Sequence, residues 1–371
     1  RFSMSKAAEL ANLIGNINAG GGGAGRNMVI NGAFNISQRV GDTASTGNNY
    51  DAMPDRFRVE AYATSTFQQV TDAPTGFKNS FKVTCGNASL PGASNTYRIQ
   101  HGIEGQNIAH LLYGTSQAKT ATLSFYVKAS ETGVYSTALV NVRPGNTSSI
   151  IASTATRSHI KTYTVSSADT WEYKTLTFEG CPDGTWGSSN LDGISICFDL
   201  GSGSDHVGDT DTWLSTSDTI SSSQVTLGDN NGGTWQITGI QFEVGQNATE
   251  FEHKTFEQEL AECQRYYFKF LEGNNQEIGV GWYYSSSHIS FMCRYPTTMR
   301  ATPTGKDSTG TDYYTIYRNG GNDPFNSVTF ENGSTEQFSA LNSSEVSGTA
   351  GQAGIVRATN ASAKIEFDSE L

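Results

Sequence analysis

Two tryptophans stand where binding chemistry would be expected. Trp186 lies in Asp183-Gly184-Thr185-Trp186-Gly187-Ser188, and Trp213 in Asp211-Thr212-Trp213-Leu214-Ser215. An indole face among short hydroxyl and amide side chains suits a sugar. The ring covers the sugar's C–H face, and the polar neighbours take its hydroxyls. Nearer the C-terminus, Trp282-Tyr283-Tyr284, Tyr313-Tyr314 and Tyr317 border Asn- and Ser-rich turns. The glycan-binding candidates are therefore Trp186, Trp213, Trp282, Tyr283 and Tyr314. The competing reading for a loop tryptophan is a lid packed on the core. Trp171, Trp235 and Trp282 fall at strand-like positions, which favours the core for them.

A second constellation is acidic. Asp205, Asp209 and Asp211 cluster in Asp205-His206-Val207-Gly208-Asp209-Thr210-Asp211. Hard oxygen ligands on a Gly/Ser loop suit calcium, although the helix-loop-helix pattern with its closing Glu is missing. A solvated acidic loop is the plain alternative. The expectation is no cofactor, with structural calcium as the one metal to test at these three residues.

Catalytic motifs do not appear. The sequence has no GxSxG, HExxH or Walker loop, and no GxGxxG following a strand. Its six histidines lack ligand spacing. Paired carboxylates for glycoside hydrolysis are a spatial arrangement, and 36 acids could always supply two. The five cysteines (Cys85, Cys181, Cys197, Cys263 and Cys293) are odd in number and have no CxxC pair. They read as free buried thiols, which fits assembly in a reducing compartment such as a bacterial cytoplasm.

Composition sets the frame for these residues. Ser, Thr, Asn and Gly make up 149 of the 371 residues, while only 16% are charged and 40 are aromatic. A disordered chain would lack the aromatics, and a helical bundle would be rich in Ala, Glu, Lys and Leu. An all-β protein with many loops remains. The net charge of −12 excludes the basic footprint of a nucleic-acid binder and argues against anionic membrane surfaces. No apolar run is long enough to span a bilayer, and no secretory signal is visible. The sequence begins at Arg1, so the natural start is expected at Met4 or upstream.

The elements that must position these residues follow from periodicity. Residues 5–17 read as a short helix with Leu10, Leu13, Ile14 and Ile17 on one stripe. The run Gly20-Gly21-Gly22-Gly23-Ala24-Gly25 that follows is a flexible tether. A tethered helix with one apolar stripe would serve as an anchoring peg; a helix folded back on its own domain is the alternative. Met28-Val29-Ile30 reads as a strand before an Asn31-Gly32 turn. Alternating segments follow at 57–62, 80–84, 97–103, 121–128, 134–142, 160–165, 171–178, 194–200 and 235–244, with a helical turn at 108–113. About ten strands separated by Gly/Ser/Thr/Asn turns describe a sandwich or jelly roll. Thr255 and Gln258 form a capping box for a connector helix over 251–266, with Phe256, Leu260, Cys263 and Tyr267 on one stripe. Strands return at 266–271, 278–284, 288–295, 313–317, 327–330 and 355–367, and the 320s to 350s look loop-like. The expected domains are an anchoring helix with its Gly linker (1–26), a jelly roll (27–250), the connector (251–266) and a smaller β head (267–371).

Several motifs, in one order over about 240 residues, carry a resemblance. Asn27-Met28-Val29-Ile30-Asn31-Gly32-Ala33-Phe34-Asn35-Ile36-Ser37-Gln38-Arg39 is followed by Pro54-Asp55-Arg56-Phe57 and by Ile103-Glu104-Gly105-Gln106-Asn107-Ile108. Leu123-Ser124-Phe125-Tyr126-Val127-Lys128, Gly239-Ile240-Gln241-Phe242-Glu243-Val244-Gly245 and Thr249-Glu250-Phe251-Glu252 come next, then Glu259-Leu260-Ala261-Glu262-Cys263-Gln264-Arg265-Tyr266-Tyr267. Together they resemble a family of bacteriophage tail-fibre and appendage proteins. The resemblance implies a jelly roll similar to carbohydrate-binding modules, followed by a trimer-forming β head. Such modules often hold a structural calcium, but Phe34-Asn35 stands here where many have an acidic residue.

The expected function is a non-enzymatic structural protein on the exterior of a virion, assembled in the host bacterial cytoplasm. It would be homotrimeric, dock to other virion proteins through its N-terminal segment, and attach to host cell-surface glycans. A pure decoration protein without a receptor is the alternative, and a polysaccharide depolymerase the third reading.

Overall fold

The computed structural model describes residues 6, 7, 10, 11, 14, 25–48, 50–51, 53–141 and 156–371. It is an all-β jelly-roll sandwich with a smaller β unit. By contacts the chain divides into a unit comprising Arg1–Glu259 with Leu371 and a second unit, Leu260–Glu370.

Among its described residues the first unit has eleven strands: β1 (Phe57–Ala61), β2 (Ser65–Val70), β3 (Ser80–Cys85), β4 (Tyr97–Glu104), β5 (Ala121–Ala129), β6 (Gly133–Val140), β7 (Ser158–Val165), β8 (Glu172–Phe178), β9 (Asp192–Asp199), β10 (Trp213–Leu214) and β11 (Thr234–Val244). One sheet runs β1-β4-β9-β6-β7-β10 and the other β2-β3-β11-β5-β8. The alternation seen in the sequence explains the layers. Leu123, Phe125 and Val127 of β5 and Ile194, Ile196 and Phe198 of β9 are fully buried and join one core. Each such side chain contributes about 1.5–3 kcal/mol by leaving water. The expected helical turn is present as Gly105–Ile108 followed by Ala109–Leu111.

The segment at 28–30 is not a strand, against the expectation. Met28 makes one backbone bond to β11, its N–H to the Phe242 carbonyl (2.9 Å), while side chains take up neighbouring groups. Asn27 Oδ1 accepts from the N–H groups of Val29 (3.0 Å) and Phe242 (3.1 Å). The fully buried Asn31 donates to the carbonyls of Ile36 (2.8 Å) and Asp55 (2.9 Å) and accepts from the Ile36 N–H (3.0 Å). Asn31 has φ 62°, and a Cβ on Gly32 would lie 2.2 Å from the Ile240 carbonyl oxygen. The Asn-Gly pair is therefore set by a close approach to β11.

The closing motif works in the same way. Gln241 and Glu243, both buried, hold the chain just after β11. Glu243 accepts from the Thr249 N–H (2.8 Å) and hydroxyl (2.7 Å), and Gln241 Oε1 accepts from the Glu252 N–H (2.8 Å). Glu252 in turn accepts from the N–H groups of Gly25 (2.6 Å) and Asn27 (2.8 Å). The motifs behind the resemblance thus form a buried polar network that ties the start of the jelly roll to its last strand.

A helix spans Phe256–Gln264, shorter than 251–266. Its capping box forms: the Gln258 N–H donates to Thr255 Oγ1 (3.3 Å), and the Thr255 N–H donates to Gln258 Oε1 (3.1 Å). The expected stripe breaks at both ends, since Phe256 is exposed and Tyr267 already belongs to a strand.

The second unit comprises β12 (Tyr267–Glu272), β13 (Glu277–Ser285), β14 (His288–Arg294), β15 (Thr304–Asp307), β16 (Tyr314–Arg318), β17 (Gly321–Phe325), β18 (Thr329–Glu331), β19 (Gln337–Asn342), β20 (Ala353–Ala358) and β21 (Lys364–Asp368). One sheet is β12-β21-β15 and the other β17-β16-β20-β13-β14-β19-β18. The core mixes phenylalanine, isoleucine and tyrosine, with Phe338 and Phe367 at a ring separation of 4.4 Å. The region read as loop, 320s to 350s, holds β17 and β19. Asn319 and Gly320 (φ 49° and 75°) make a tight hairpin between β16 and β17. Pro324 is tolerated because β17 is an edge strand.

Candidate functional site

The two loop tryptophans come together. β10 pairs Trp213 with His159 at the start of β7, while the loop between β8 and β9 carries Trp186. Their rings meet edge to face, with centroids 5.5 Å apart and planes at 90°. Tyr113, which follows the turn at 109–111, contacts both at 4.8 and 5.7 Å. His159 lies 5.1 Å from Trp213. Both indoles are half-buried against the core.

Backbone carbonyls fix each indole. Trp186 Nε1 donates to Asp183 O (3.0 Å), and Trp213 Nε1 donates to Glu179 O (2.9 Å). With the ring nitrogens satisfied, the open parts of the rings are what a ligand would meet. Both tryptophans therefore combine a packed side with a solvent side, and the lid and platform readings describe two sides of the same rings.

Ion pairs border the cluster. Arg157 holds Asp183 through two bonds of 2.8 and 3.1 Å. Lys161 pairs with Asp211 at 2.9 Å and with Glu179 at 3.7 Å. These contacts keep the carboxyls ionised. Hydrogen bonds from Arg157 and Lys161 hold Asp183 and Asp211 below the usual carboxylate range. Glu179 is also lowered, because hydrogen bonds and the Lys161 charge outweigh its desolvation. His159 is shifted down by burial and then by the Lys161 charge, and so stays neutral at pH 7. Its Nε2 lies 3.2 Å from Glu179. The border offers oriented carboxylates, a guanidinium and an ammonium beside aromatic surface, which is an arrangement able to take hydroxyl groups. Of these border residues the sequence singled out Asp211, as a calcium candidate beside Trp213, and Asp183 stood in the Trp186 loop; Arg157, Lys161 and Glu179 carry no signal in the sequence.

The other candidates fall elsewhere. Tyr283 and Tyr314 are fully buried, so neither is a sugar platform. Arg318 Nε donates to the Tyr283 hydroxyl at 2.8 Å, and the Tyr314 hydroxyl lies 3.0 Å from the carbonyl oxygens of both Ser308 and Lys364 and shares its one hydrogen between them. Their Asn- and Ser-rich neighbours are turns capping a core. Trp282 is 39% exposed on the outer face of the seven-stranded sheet, which corrects its core placement. Trp171 is half-buried, with Lys128 Nζ 5.2 Å from its ring centre. Trp235 is in the core.

The acidic loop does not converge. Asp205 sits in a turn at Ser204–His206, and Asp211 points to Lys161. Among the described residues no three His, Cys, Asp or Glu side chains are grouped to hold a metal. None of the five cysteines is in a disulfide; Cys293 is half-buried and the others are buried. Of the anchoring residues, Leu10 and Ile14 are helical and exposed. Leu13, Ile17 and the glycine run before Gly25 lie outside the described residues.

No protein-family model matches the chain, and no curated protein does. Among solved structures, the chain is similar to the enzymatically active domain of tailspike protein 4 of bacteriophage CBA120, at 14% identity and a TM-score of 0.29. That match covers 59% of this chain, which spans only 21% of the tailspike chain. It is also similar to a family 11 carbohydrate-binding module from a Clostridium thermocellum cellulosomal cellulase (11% identity, TM-score 0.27, 57% of this chain and 98% of the module). A xylan-binding domain from Paenibacillus barcinonensis is a third likeness (8% identity, TM-score 0.24, 57% and 100% covered). At these scores none of the three assigns a ligand or a role to the chain.

Proposed function

We propose that the chain is a non-enzymatic component of the exterior of a bacteriophage particle, present as a homotrimer, that attaches to host cell-surface glycan. Trp186 and Trp213 carry the glycan reading, because two loops distant in sequence build one half-open aromatic surface with oriented polar groups at its border. The motif order supports the virion reading. So does the surface chemistry: polarity comes from Ser, Thr, Asn and Gly, with only 16% charged residues, so contacts with uncharged sugars depend little on salt. Exposed apolar Leu10 and Ile14 on one helical stripe support the anchoring role of the N-terminal segment. The test is to raise antibodies against the chain and apply them to intact particles. Decoration of the particle exterior together with blocked adsorption to cells is expected. No decoration overturns the virion assignment, and decoration without loss of adsorption overturns the attachment role.

A further inference from the structure

The outer face of the seven-stranded sheet in the second unit carries a row of apolar side chains that nothing in its own unit covers. Directly opposed residues in antiparallel strands point to the same face. Tyr317 of β16 opposes Ile355 of β20, and Ile355 opposes Val280 of β13. The register that pairs Gly281 with Phe291 sets Met292 of β14 beside Val280. Trp282 and Tyr284 continue the face along β13. Val280 is 66% exposed, Tyr284 72% and Met292 51%. At roughly 150–250 Å² per aromatic side chain, these six leave on the order of 600 Å² of apolar surface open. A stable interface takes about 800 Å² from each partner, so the patch with a polar rim is of the right size. The middle of the row is aliphatic, whereas a sugar platform needs aromatic faces with hydroxyl partners beside them.

Charges of both signs border the row. At one end Arg357 lies 4.8 Å over the Tyr317 ring, on the same face of β20 as Ile355, with the exposed Glu277 of β13 opposite it. At the other end Ser339 opposes Met292, and Glu331 opposes Ser339 at the exposed outermost strand. Copies of a chain of net charge −12 repel on average. A contact between them therefore needs unlike charges brought together locally, and a head-to-tail ring does this by setting the Arg357 end of each copy against the Glu331 end of the next.

We infer that this face is where copies of the chain meet, with the Tyr317–Ile355–Val280–Met292 row buried between them. The inference rests on the self-association in the reading above and names its surface. The test is the mass of the full chain in solution by sedimentation at micromolar concentration, for the wild type, Val280→Glu, Arg357→Glu, and Arg357→Glu combined with Glu331→Arg. An oligomeric wild type is expected. V280E should raise the dissociation constant about tenfold or more while the separated chain keeps the circular dichroism of the folded protein, since position 280 is exposed within one copy. R357E should weaken assembly and the double exchange restore it. A monomeric wild type overturns self-association itself. An oligomeric wild type with V280E and both charge variants unchanged overturns only this face as its site, as does loss of glycan binding by V280E with assembly intact.

Discussion

Trp186 and Trp213 meet edge to face at 5.5 Å, each with its indole nitrogen committed to a backbone carbonyl. The pair is therefore held in place by the fold. Aromatic pairs of this geometry contribute about 0.5–1.5 kcal/mol beyond their buried area. A double-mutant cycle of Trp186→Ala and Trp213→Ala, followed by urea unfolding, should return a coupling in that range. Additive effects would show that the rings are held independently.

Asn31 replaces a stretch of ladder with side-chain bonds. Asn31→Ala leaves the Ile36 N–H and the carbonyls of Ile36 and Asp55 buried and short of a partner. Each of these three groups costs about 1–3 kcal/mol, so a loss of about 3 kcal/mol or more is expected in chemical denaturation, with glycan binding of the folded chain unchanged. Gly32→Ala should be at least as harmful, because its methyl would meet the Ile240 carbonyl.

His101 gives the jelly roll an acid sensitivity. It is fully buried, and desolvation, then the Arg56 charge, holds it well below the usual histidine value. The unfolded chain thus binds its proton more readily than the folded one. Stability is intact above the ordinary value of about 6.5 and falls with pH below it, by about 1.4 kcal/mol per pH unit for this one proton. Thermal melts from pH 7 to pH 5 should show that slope, and His101→Gln should flatten it. An unaltered slope in the variant would assign the sensitivity to other groups.

The thiols should be inert in the native state. Burial pushes Cys181 and Cys293 up to about 11, which leaves on the order of one thiolate in a thousand at pH 8. A thiol reagent at that pH should label these two slowly in the native chain and all five cysteines on unfolding. Rapid native labelling at Cys181 or Cys293 would contradict their buried setting.

The strands were legible where apolar side chains alternate with polar ones, even where both faces are buried, as Ser195 and Asp199 of β9 and Thr122 of β5 are. Leu123, Phe125 and Val127, or Ile194, Ile196 and Phe198, declare their strands by alternation alone. β17 escaped because Gly321, Asn322 and Pro324 look like loop, and only its edge position makes them tolerable. Met28-Val29-Ile30 misled in the opposite sense, since its apolar run makes a single backbone bond to β11 and is otherwise held by the side chains of Asn27 and His101. At the site, the types and contexts of Trp186 and Trp213 were readable, but their meeting was not. It depends on β10 joining β7, a two-residue strand with no periodicity to detect. Tyr283 and Tyr314 looked exposed because their neighbours are polar, yet a turn at the end of a strand says nothing about which face the tyrosine takes.

The attachment account stands or falls on affinity for a purified envelope polysaccharide, titrated against the full chain and against the Trp186→Ala and Trp213→Ala variants. The account predicts saturable binding by the wild type, and an affinity about tenfold or more weaker in either variant that still melts as a folded protein. No binding by the wild type across capsular and lipopolysaccharide preparations of the cells that the particle adsorbs to, or equal affinity in both folded variants, would contradict it.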